Sequence, residues 1–65
     1  MSIVVAGTFR VPPSELDALR PHAVAVMRAT RAEDGCAAYS YAEDIDDPGL
    51  IHVFEQWRDR WGVGA

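Results

Sequence analysis

The chain opens with a segment in which side chains alternate between two faces. Residues 2–11 are rich in β-branched residues, and polar side chains gather on one face only at the far end. This period of two predicts a β-strand. Its near end is apolar on both sides, so we expect cover from a helix layer on one side and a partner subunit on the other. The first face carries Ile3, Val5, Gly7, Phe9 and Val11.

A helical pattern follows the prolines at positions 12 and 13, which end the strand because proline cannot donate to a sheet ladder. Ser14 is a favourable N-cap residue, and Asp17 occupies the position of a capping-box acid. Apolar residues then recur at spacings of three and four, which is typical of one buried helix face. They are Leu16, Leu19, Ala23, Val26 or Met27, and Thr30.

Pro21 falls inside this helical pattern. A proline in a helix interior costs about 3 kcal/mol or more, whereas in a first turn it costs little. We therefore expect a short turn over 14–20 and a main helix over about 21–33. One helix kinked at the proline is the alternative. Gly35 is expected to end the helix in a left-handed conformation.

Two further strands are predicted on either side of the turn Asp46–Gly49, which reads Asp-Asp-Pro-Gly. They cover residues 36–43 and 50–57 and form an antiparallel hairpin. The first of them has a face of small residues, which we expect to lie against the helix: Cys36, Ala38, Ser40 and Ala42. The element order is β-α-β-β, which predicts an α+β fold in one domain over residues 1–65, with an irregular tail over 59–65.

The size of the chain predicts self-association. A chain of 65 residues has a marginal core, and its single cysteine, Cys36, cannot form an intrachain disulfide. We expect that cysteine to be a small buried apolar residue and His22 to lie at the surface. The histidines and the cysteine are too scattered for a structural metal site. The remaining source of stability is a homodimer or a higher homo-oligomer.

Charge narrows the possible partners. The net charge of −4 and the pI of about 4.8 disfavour binding to nucleic acid and to anionic membrane surfaces. No apolar run approaches the ~20 residues of a membrane span, and the N-terminus does not resemble a signal peptide. A cytoplasmic protein is therefore expected.

Two motifs resemble a known family. Residues 33–39 read Glu-Asp-Gly-Cys-Ala-Ala-Tyr, and the last apolar run ends in Glu55-Gln56-Trp57. They are similar to the Glu-x-Gly-Cys-x-x-Tyr and Glu-x-Trp signatures of the antibiotic biosynthesis monooxygenase (ABM) family, in the dimeric α+β barrel superfamily. The resemblance covers roughly residues 3–58. It implies a ferredoxin-like fold in a C-terminally shortened member, which would leave an outer edge of the first strand unpaired.

The resemblance also implies a cofactor-independent monooxygenase that oxidises quinol-like or polyketide aromatic substrates with dioxygen. Such chemistry needs an apolar cavity, a general base and hydrogen-bond donors. His52 is the candidate base because imidazole titrates near neutral pH, and Tyr39 and Tyr41 are candidate donors. The candidate substrate-binding residues are Phe9, Phe54 and Trp57.

Structural roles are the alternative for each candidate. His52 can lie at the margin of the core or interface, the tyrosines can pack at a dimer face, and Trp57 can simply fill space. Glu55 is expected to pair with Arg10 or Arg58. A catalytically silent dimeric module, for small-molecule binding or for assembly, is accordingly the alternative function.

Overall fold

The computed structural model of the protein describes residues 2–58 and contains the β-α-β-β order expected from the sequence. The predicted irregular tail over 59–65 lies outside the described residues. A 3₁₀ turn over Pro13–Glu15 precedes the helix. The main elements are β1 (Ile3–Arg10), α1 (Leu16–Arg31), β2 (Cys36–Glu43) and β3 (Leu50–Trp57).

The three strands form one antiparallel sheet in the order β1-β3-β2. β3 therefore lies in the centre, and within the described residues β1 pairs with β3 alone. The predicted hairpin of β2 and β3 is confirmed. An irregularity between Cys36 and Ala38 brings Cys36 level with Trp57 and shifts the rest of β2 by one residue.

The register divides the sheet into two faces. The helix-side face carries Phe9, Tyr39, Tyr41 and the odd-numbered residues of β3, because Phe9 is opposite Ile51 and Tyr41 is opposite Val53. The open face carries the even-numbered residues of β1 and β3 and, after the irregularity, those of β2. Its members are Val4, Ala6, Thr8, Arg10, Ala38, Ser40, Ala42, Leu50, His52, Phe54 and Gln56.

The helix lies over the helix-side face, so the expectation that the small-residue face of β2 meets α1 is wrong. Arg20 of α1 bonds Glu43 of β2, and Arg31 donates to the carbonyl of Tyr39 at 2.8 Å. The Glu43 side chain is on the face of β2 that carries the tyrosines, and residues of α1 line a cavity together with Tyr41 and Ile51 of that face. Ala38 and Ala42 instead belong to the open face because the strand alternates strictly after the irregularity.

Pro21 lies within a continuous α1, so the split into a turn and a separate helix is wrong and the single-helix alternative holds. The proline removes the hydrogen bond that the Asp17 carbonyl would accept. Ser14 belongs to the 3₁₀ turn and does not cap α1, whose N-cap residue is Glu15 without a side-chain bond. Leu16 is buried at the start of α1, and packing of this kind stabilises the helix beyond its intrinsic propensity.

Two glycines adopt the left-handed conformation that favours glycine. Gly35 has φ 92° as predicted, although α1 ends at Arg31, before it. Gly49 has φ 93°, its carbonyl accepts the Val11 amide at 2.9 Å, and a Cβ there would lie 2.3 Å from the Val11 carbonyl oxygen. Gly49 thus allows β1 and the β2–β3 turn to approach closely.

The core is small and lies between α1 and the β2–β3 half of the sheet. Its buried members are Leu16, Ile51 and Trp57, the last two only 2% exposed. In the described residues, α1 approaches β2 more closely than β1 or β3. Val5 and Phe9 of β1 consequently stay 40% and 38% exposed on the helix-side face.

None of the helices formed by residues 2–58 has the length and apolar character needed to cross a membrane.

Candidate functional site

A cavity of about 280 Å³ lies between α1 and the sheet. It is close to the smallest ligand pockets, which start at roughly 300 Å³. The helix provides its apolar wall because the residues spaced by three and four face the sheet. The lining residues are Leu19, Arg20, Ala23, Val24, Met27, Tyr41, Glu43 and Ile51.

An aromatic cluster lies beside this cavity on the helix-side face. The hydroxyls of Tyr39 and Tyr41 share a hydrogen bond of 2.8 Å, and their ring centroids are 5.4 Å apart. Phe9 meets Tyr41 edge to face at 5.9 Å. The hydrogen bond with Tyr41, followed by burial, raises the pKa of Tyr39 above its ordinary value. Tyr39 therefore keeps its proton, and the pair, which shares one hydrogen bond, has one hydroxyl hydrogen left to donate to a ligand.

The charged margin of the cavity is a three-residue cluster. Arg20 donates through Nε and Nη2 to the two carboxylate oxygens of Glu43 at 2.8 and 2.9 Å, and through Nη1 to Asp17. The hydrogen bond from Arg20 holds the pKa of Glu43 below its ordinary value. Glu43 therefore stays ionised near neutral pH. It accepts hydrogen bonds there but is a weak base.

Trp57 belongs to the core and not to the cavity wall. It is buried, and its Nε1 donates to Oε1 of Glu55 at 3.0 Å. The predicted pairing of Glu55 with Arg10 or Arg58 is wrong, since those arginines bond Asp47 and Asp34. Glu55 has a partner two residues away on its own face, and each arginine has an acid in a nearby turn.

His52 and Phe54 lie on the open face, across the sheet from the tyrosines. His52 Nε2 is 2.9 Å from Oδ2 of Asp44, whose Oδ1 accepts the amides of Asp46 and Asp47. The hydrogen bond with His52, then the two amide bonds, hold the pKa of Asp44 below its ordinary value. The structure therefore brings Phe9, Tyr39 and Tyr41 together and separates them from His52 and Phe54.

Sequence reasoning missed Arg20, Glu43 and Asp44. Arg20 follows Leu19 on the edge of the apolar helix stripe, and Glu43 has the same strand parity as both tyrosines, so a signal for both was present. Asp44 follows β2 directly, and nothing in the sequence pattern connects it with His52. His22 is exposed, as expected, while Cys36 is only half-buried.

No cluster of three or more histidine, cysteine or acidic side chains that could hold a metal ion exists among residues 2–58.

Comparison with known proteins supports the resemblance noted in the sequence. The family model "Antibiotic biosynthesis monooxygenase" matches residues 2–61. The "Putative monooxygenase Rv0793" of Mycobacterium tuberculosis is 38% identical over 58 residues, covering 89% of this chain and 56% of that protein. The "Uncharacterized protein sll1783" of a Synechocystis strain is 34% identical over 58 residues, covering 89% of this chain and 40% of that protein.

Solved structures share the fold. The structure of Rv0793 superposes on all of this chain and 65% of that chain, with a TM-score of 0.83 and 34% identity. A "putative antibiotic biosynthesis monooxygenase" from Deinococcus radiodurans superposes on 95% of this chain and 60% of its own, with a TM-score of 0.82 and 34% identity. This chain thus spans about half the length of the curated relatives, 40% and 56%. Because the family model covers nearly all of it, the chain belongs to the antibiotic biosynthesis monooxygenase family.

Proposed function

We propose that the cavity between α1 and the sheet binds a small flat aromatic molecule, and that the protein oxidises such quinol-like or polyketide aromatics with dioxygen without a cofactor. The observation that carries the proposal is the cavity itself, which is apolar along α1 and has the Tyr41 side chain at its wall. An aromatic ring gains from the apolar wall. The hydroxyl pair of Tyr39 and Tyr41 supplies a donor for a substrate oxygen.

The proposed reaction balances without an external reductant. An anthrone-type substrate gives a proton to solvent at the open margin of the cavity and becomes an electron-rich anion. Its methylene carbon is then oxidised to a carbonyl, and the two hydrogens that this carbon loses are balanced by those of the water formed. One oxygen atom of dioxygen enters that carbonyl and the other leaves as water, so the substrate supplies all the electrons. The tyrosine hydroxyl stabilises the anion by donating to its oxygen, and the apolar wall limits access of water.

The sequence predicts His52 as the general base, but within one chain it lies across the sheet from this cavity. A base acting on a cavity-bound substrate must come within hydrogen-bond reach of it. In the cavity lining, Glu43 is engaged by Arg20, so Tyr41 is the residue that can hydrogen-bond to the reacting oxygen of a ligand. We therefore expect Tyr41 to influence oxidation more than His52.

Oxygen uptake tests this proposal. Anthrone and a panel of hydroquinones are added to the purified chain, to Tyr41→Phe and to His52→Ala, and uptake is recorded with an oxygen electrode. We expect uptake above the protein-free rate, a fall of about 10²-fold or less on loss of the single donor in Tyr41→Phe, and little change in His52→Ala. Uptake at the protein-free rate for every substrate would disprove the oxidase proposal.

A catalytically silent binding module is the second candidate. It is favoured by the bond between Glu43 and Arg20, which leaves the cavity without an unengaged carboxylate base among its lining residues. Calorimetric titration with the same aromatics separates the two candidates. Binding without oxygen uptake would support the module, and uptake would support the enzyme.

A second copy of the chain is the partner that we propose for the open face. Val4 and Phe54 are 55% and 41% exposed there, and exposed apolar patches of this kind mark interfaces. A partner would also supply the stability that so small a core lacks. Light scattering coupled to size exclusion should give a dimer for the native chain and a monomer for Phe54→Glu.

The matched control is Ala25→Glu, which adds the same charge at an exposed position of the helix. It should remain dimeric. A native chain that elutes as a folded monomer at micromolar concentration would disprove the homodimer.

A further inference from the structure

We propose that Glu43 makes the cavity selective for neutral aromatic ligands over carboxylated ones, by occupying the guanidinium of Arg20 that a ligand carboxylate would otherwise bind. This inference rests on the proposed function, because it assumes that an aromatic ligand enters the cavity. It adds the charge class of the ligand and the residue that determines it.

The geometry of Arg20 carries the inference. Arginine binds carboxylates best through two parallel N–H groups on one edge of its planar guanidinium. In this protein that edge, Nε and Nη2, is taken by the two oxygens of Glu43 at 2.8 and 2.9 Å. The remaining nitrogen, Nη1, donates to Asp17. Arg20 therefore has each of its three nitrogens engaged by an acid of this chain.

The charges of the cluster act in the same direction. Glu43 neutralises Arg20 within the cavity lining, whereas Asp17 is on the solvent-exposed side of the guanidinium. The hydrogen bond from Arg20 holds the pKa of Glu43 low, which keeps this pair ionised at neutral pH. An anionic ligand would find no unpaired positive charge at the margin and an apolar wall inside, where an unpaired charge is costly. A neutral phenol meets neither obstacle and still finds the tyrosine hydroxyls.

Selectivity against a ligand often depends on such a placed repulsive group as much as on attraction to the preferred ligand. Glu43 is suited to testing because it lies at the end of the edge strand β2, where glutamine preserves its shape. Glu43→Gln removes the negative charge and one of the two acceptors for the edge of Arg20. The guanidinium can then turn one or both of these N–H groups to a ligand carboxylate.

The experiment uses 1-naphthol and 1-naphthoate, which share the same ring system and differ in charge at pH 7. Both are titrated by calorimetry into the native full chain, Glu43→Gln and Arg20→Gln/Glu43→Gln, with circular dichroism to verify folding. We expect the native chain to bind naphthol at least about tenfold more tightly than naphthoate. Glu43→Gln should reduce this preference about tenfold by tightening naphthoate alone, as expected for a newly available charge-assisted pair. The double variant should lose the gain.

Asp17→Asn is the matched control. It removes the other acid that bonds Arg20, but its position is solvent-exposed and lies outside the cavity lining. Its preference for naphthol should stay within about twofold of the native value, as expected for a screened surface charge.

Each outcome decides one of the two proposals. A native chain that binds naphthoate as tightly as naphthol, an unchanged preference in Glu43→Gln, or a gain that persists without Arg20 would overturn the role of Glu43. If Asp17→Asn reduces the preference for naphthol as much as Glu43→Gln does, net charge alone sets the preference. That result would also overturn the role of Glu43. Absence of naphthol binding by the native chain would instead overturn the proposed cavity function, and this inference with it.

Discussion

The two faces of the sheet differ in what the chain itself supplies to cover them. On the helix-side face, which α1 overlies, Ile51 and Trp57 are buried and the hydroxyls of the two tyrosines share one hydrogen bond. On the open face, Phe54 and Val4 are exposed and His52 bonds only an acid from the adjoining turn. One side of the central strand β3 therefore forms part of the core, and its other side forms part of an exposed apolar surface.

This difference shows that the face on which a strand residue lies, set by the alternation of side chains along the strand, decides which candidate residues can act together. Trp57 and Phe54 are three residues apart in the same strand, and His52 is only two from Phe54, yet the tryptophan is on one side of the sheet and the other two are on the opposite side. A residue list taken from one short segment thus describes two environments. The cavity is lined by odd-numbered residues of β2 and β3 and by the helix above them.

The largest expected effect contrasts one aromatic residue from each face. Trp57→Ala removes the most buried large side chain and leaves a cavity, which costs about 3–5 kcal/mol. Since small domains have marginal stability, we expect Trp57→Ala to lose the cooperative thermal transition that circular dichroism monitors. Phe54→Ala removes a 41% exposed ring and should leave the intramolecular fold intact.

The expected difference between these variants is contradicted if Phe54→Ala also loses the cooperative thermal transition at concentrations where the native chain is monomeric. That result would mean that the open face contributes to the fold of a single chain. If Phe54→Ala lowers stability only where the native chain self-associates, the open face acts through a partner.

Gly49→Ala has the next largest expected effect, and it acts on the turn that connects both faces. The substitution forces an alanine into φ 93° and brings its Cβ to within 2.3 Å of the Val11 carbonyl oxygen. We expect a loss of about 1–3 kcal/mol from the backbone conformation, plus the cost of moving β1 away. Urea unfolding measures the total loss in the free energy of unfolding. Gly7→Ala is the control, because a Cβ at Gly7 meets no atom within 4 Å and its φ is not in the left-handed range.

The strands were predictable from the sequence because their signals are local. Alternation defined β1 and β2 within a residue or two, and the Asp-Asp-Pro-Gly turn defined where β3 begins. The family motifs predicted the sheet topology. The course of the chain at Pro21 was not predictable, since the penalty of one proline is local whereas the packing that offsets it, at Leu16 and Leu19, depends on the sheet.

The candidate site was predictable only in part. The aromatic residues were identified, and the structure brings Phe9, Tyr39 and Tyr41 together as one cluster. The face that meets α1 was predicted incorrectly because both faces of β2 carry mainly uncharged residues, so the pattern has little bias. The pairs of Arg10 with Asp47 and of Arg20 with Glu43 join residues far apart in the chain and follow from the fold, so no spacing rule could have revealed them. The pair of Asp17 with Arg20 has the helical spacing of three that a sequence pattern can indicate.

A smaller effect distinguishes hydroxyl groups on opposite faces of β2. Tyr39→Phe deletes the partner of the Tyr41 hydroxyl, and a typical hydrogen bond contributes about 0.5–1.5 kcal/mol. Ser40→Ala is the matched control on the open face, where Ser40 has no side-chain hydrogen bond within the described residues. Urea unfolding should give a measurable loss for Tyr39→Phe and a smaller one for Ser40→Ala. Equal losses would indicate that the tyrosine pair adds nothing beyond packing.

The smallest expected effect is the acid limb of stability, to which both faces contribute. Hydrogen bonds from Arg20, His52 and Arg10 hold the pKa values of Glu43, Asp44 and Asp47, respectively, below the ordinary ones. The folded chain therefore binds fewer protons than the unfolded chain as pH falls past about 4.

These carboxylates contribute stability that is fully present above their ordinary pKa values and is lost as pH falls through the lowered ones. All three are at least partly solvent-exposed, Asp44 the least with 27% of its side chain, so the melting temperature should fall by only a few degrees per site on this limb. Asp44→Asn keeps an oxygen for the amides of the turn and removes the titrating group, so its melting temperature should depend less on pH between about 2 and 4 than that of the native chain. Glu43→Gln makes the same test on the helix-side face. If the melting temperature of both variants depends on pH as steeply as that of the native chain, the acid limb arises from repulsion among the positive charges of the protonated chain and not from these pairs.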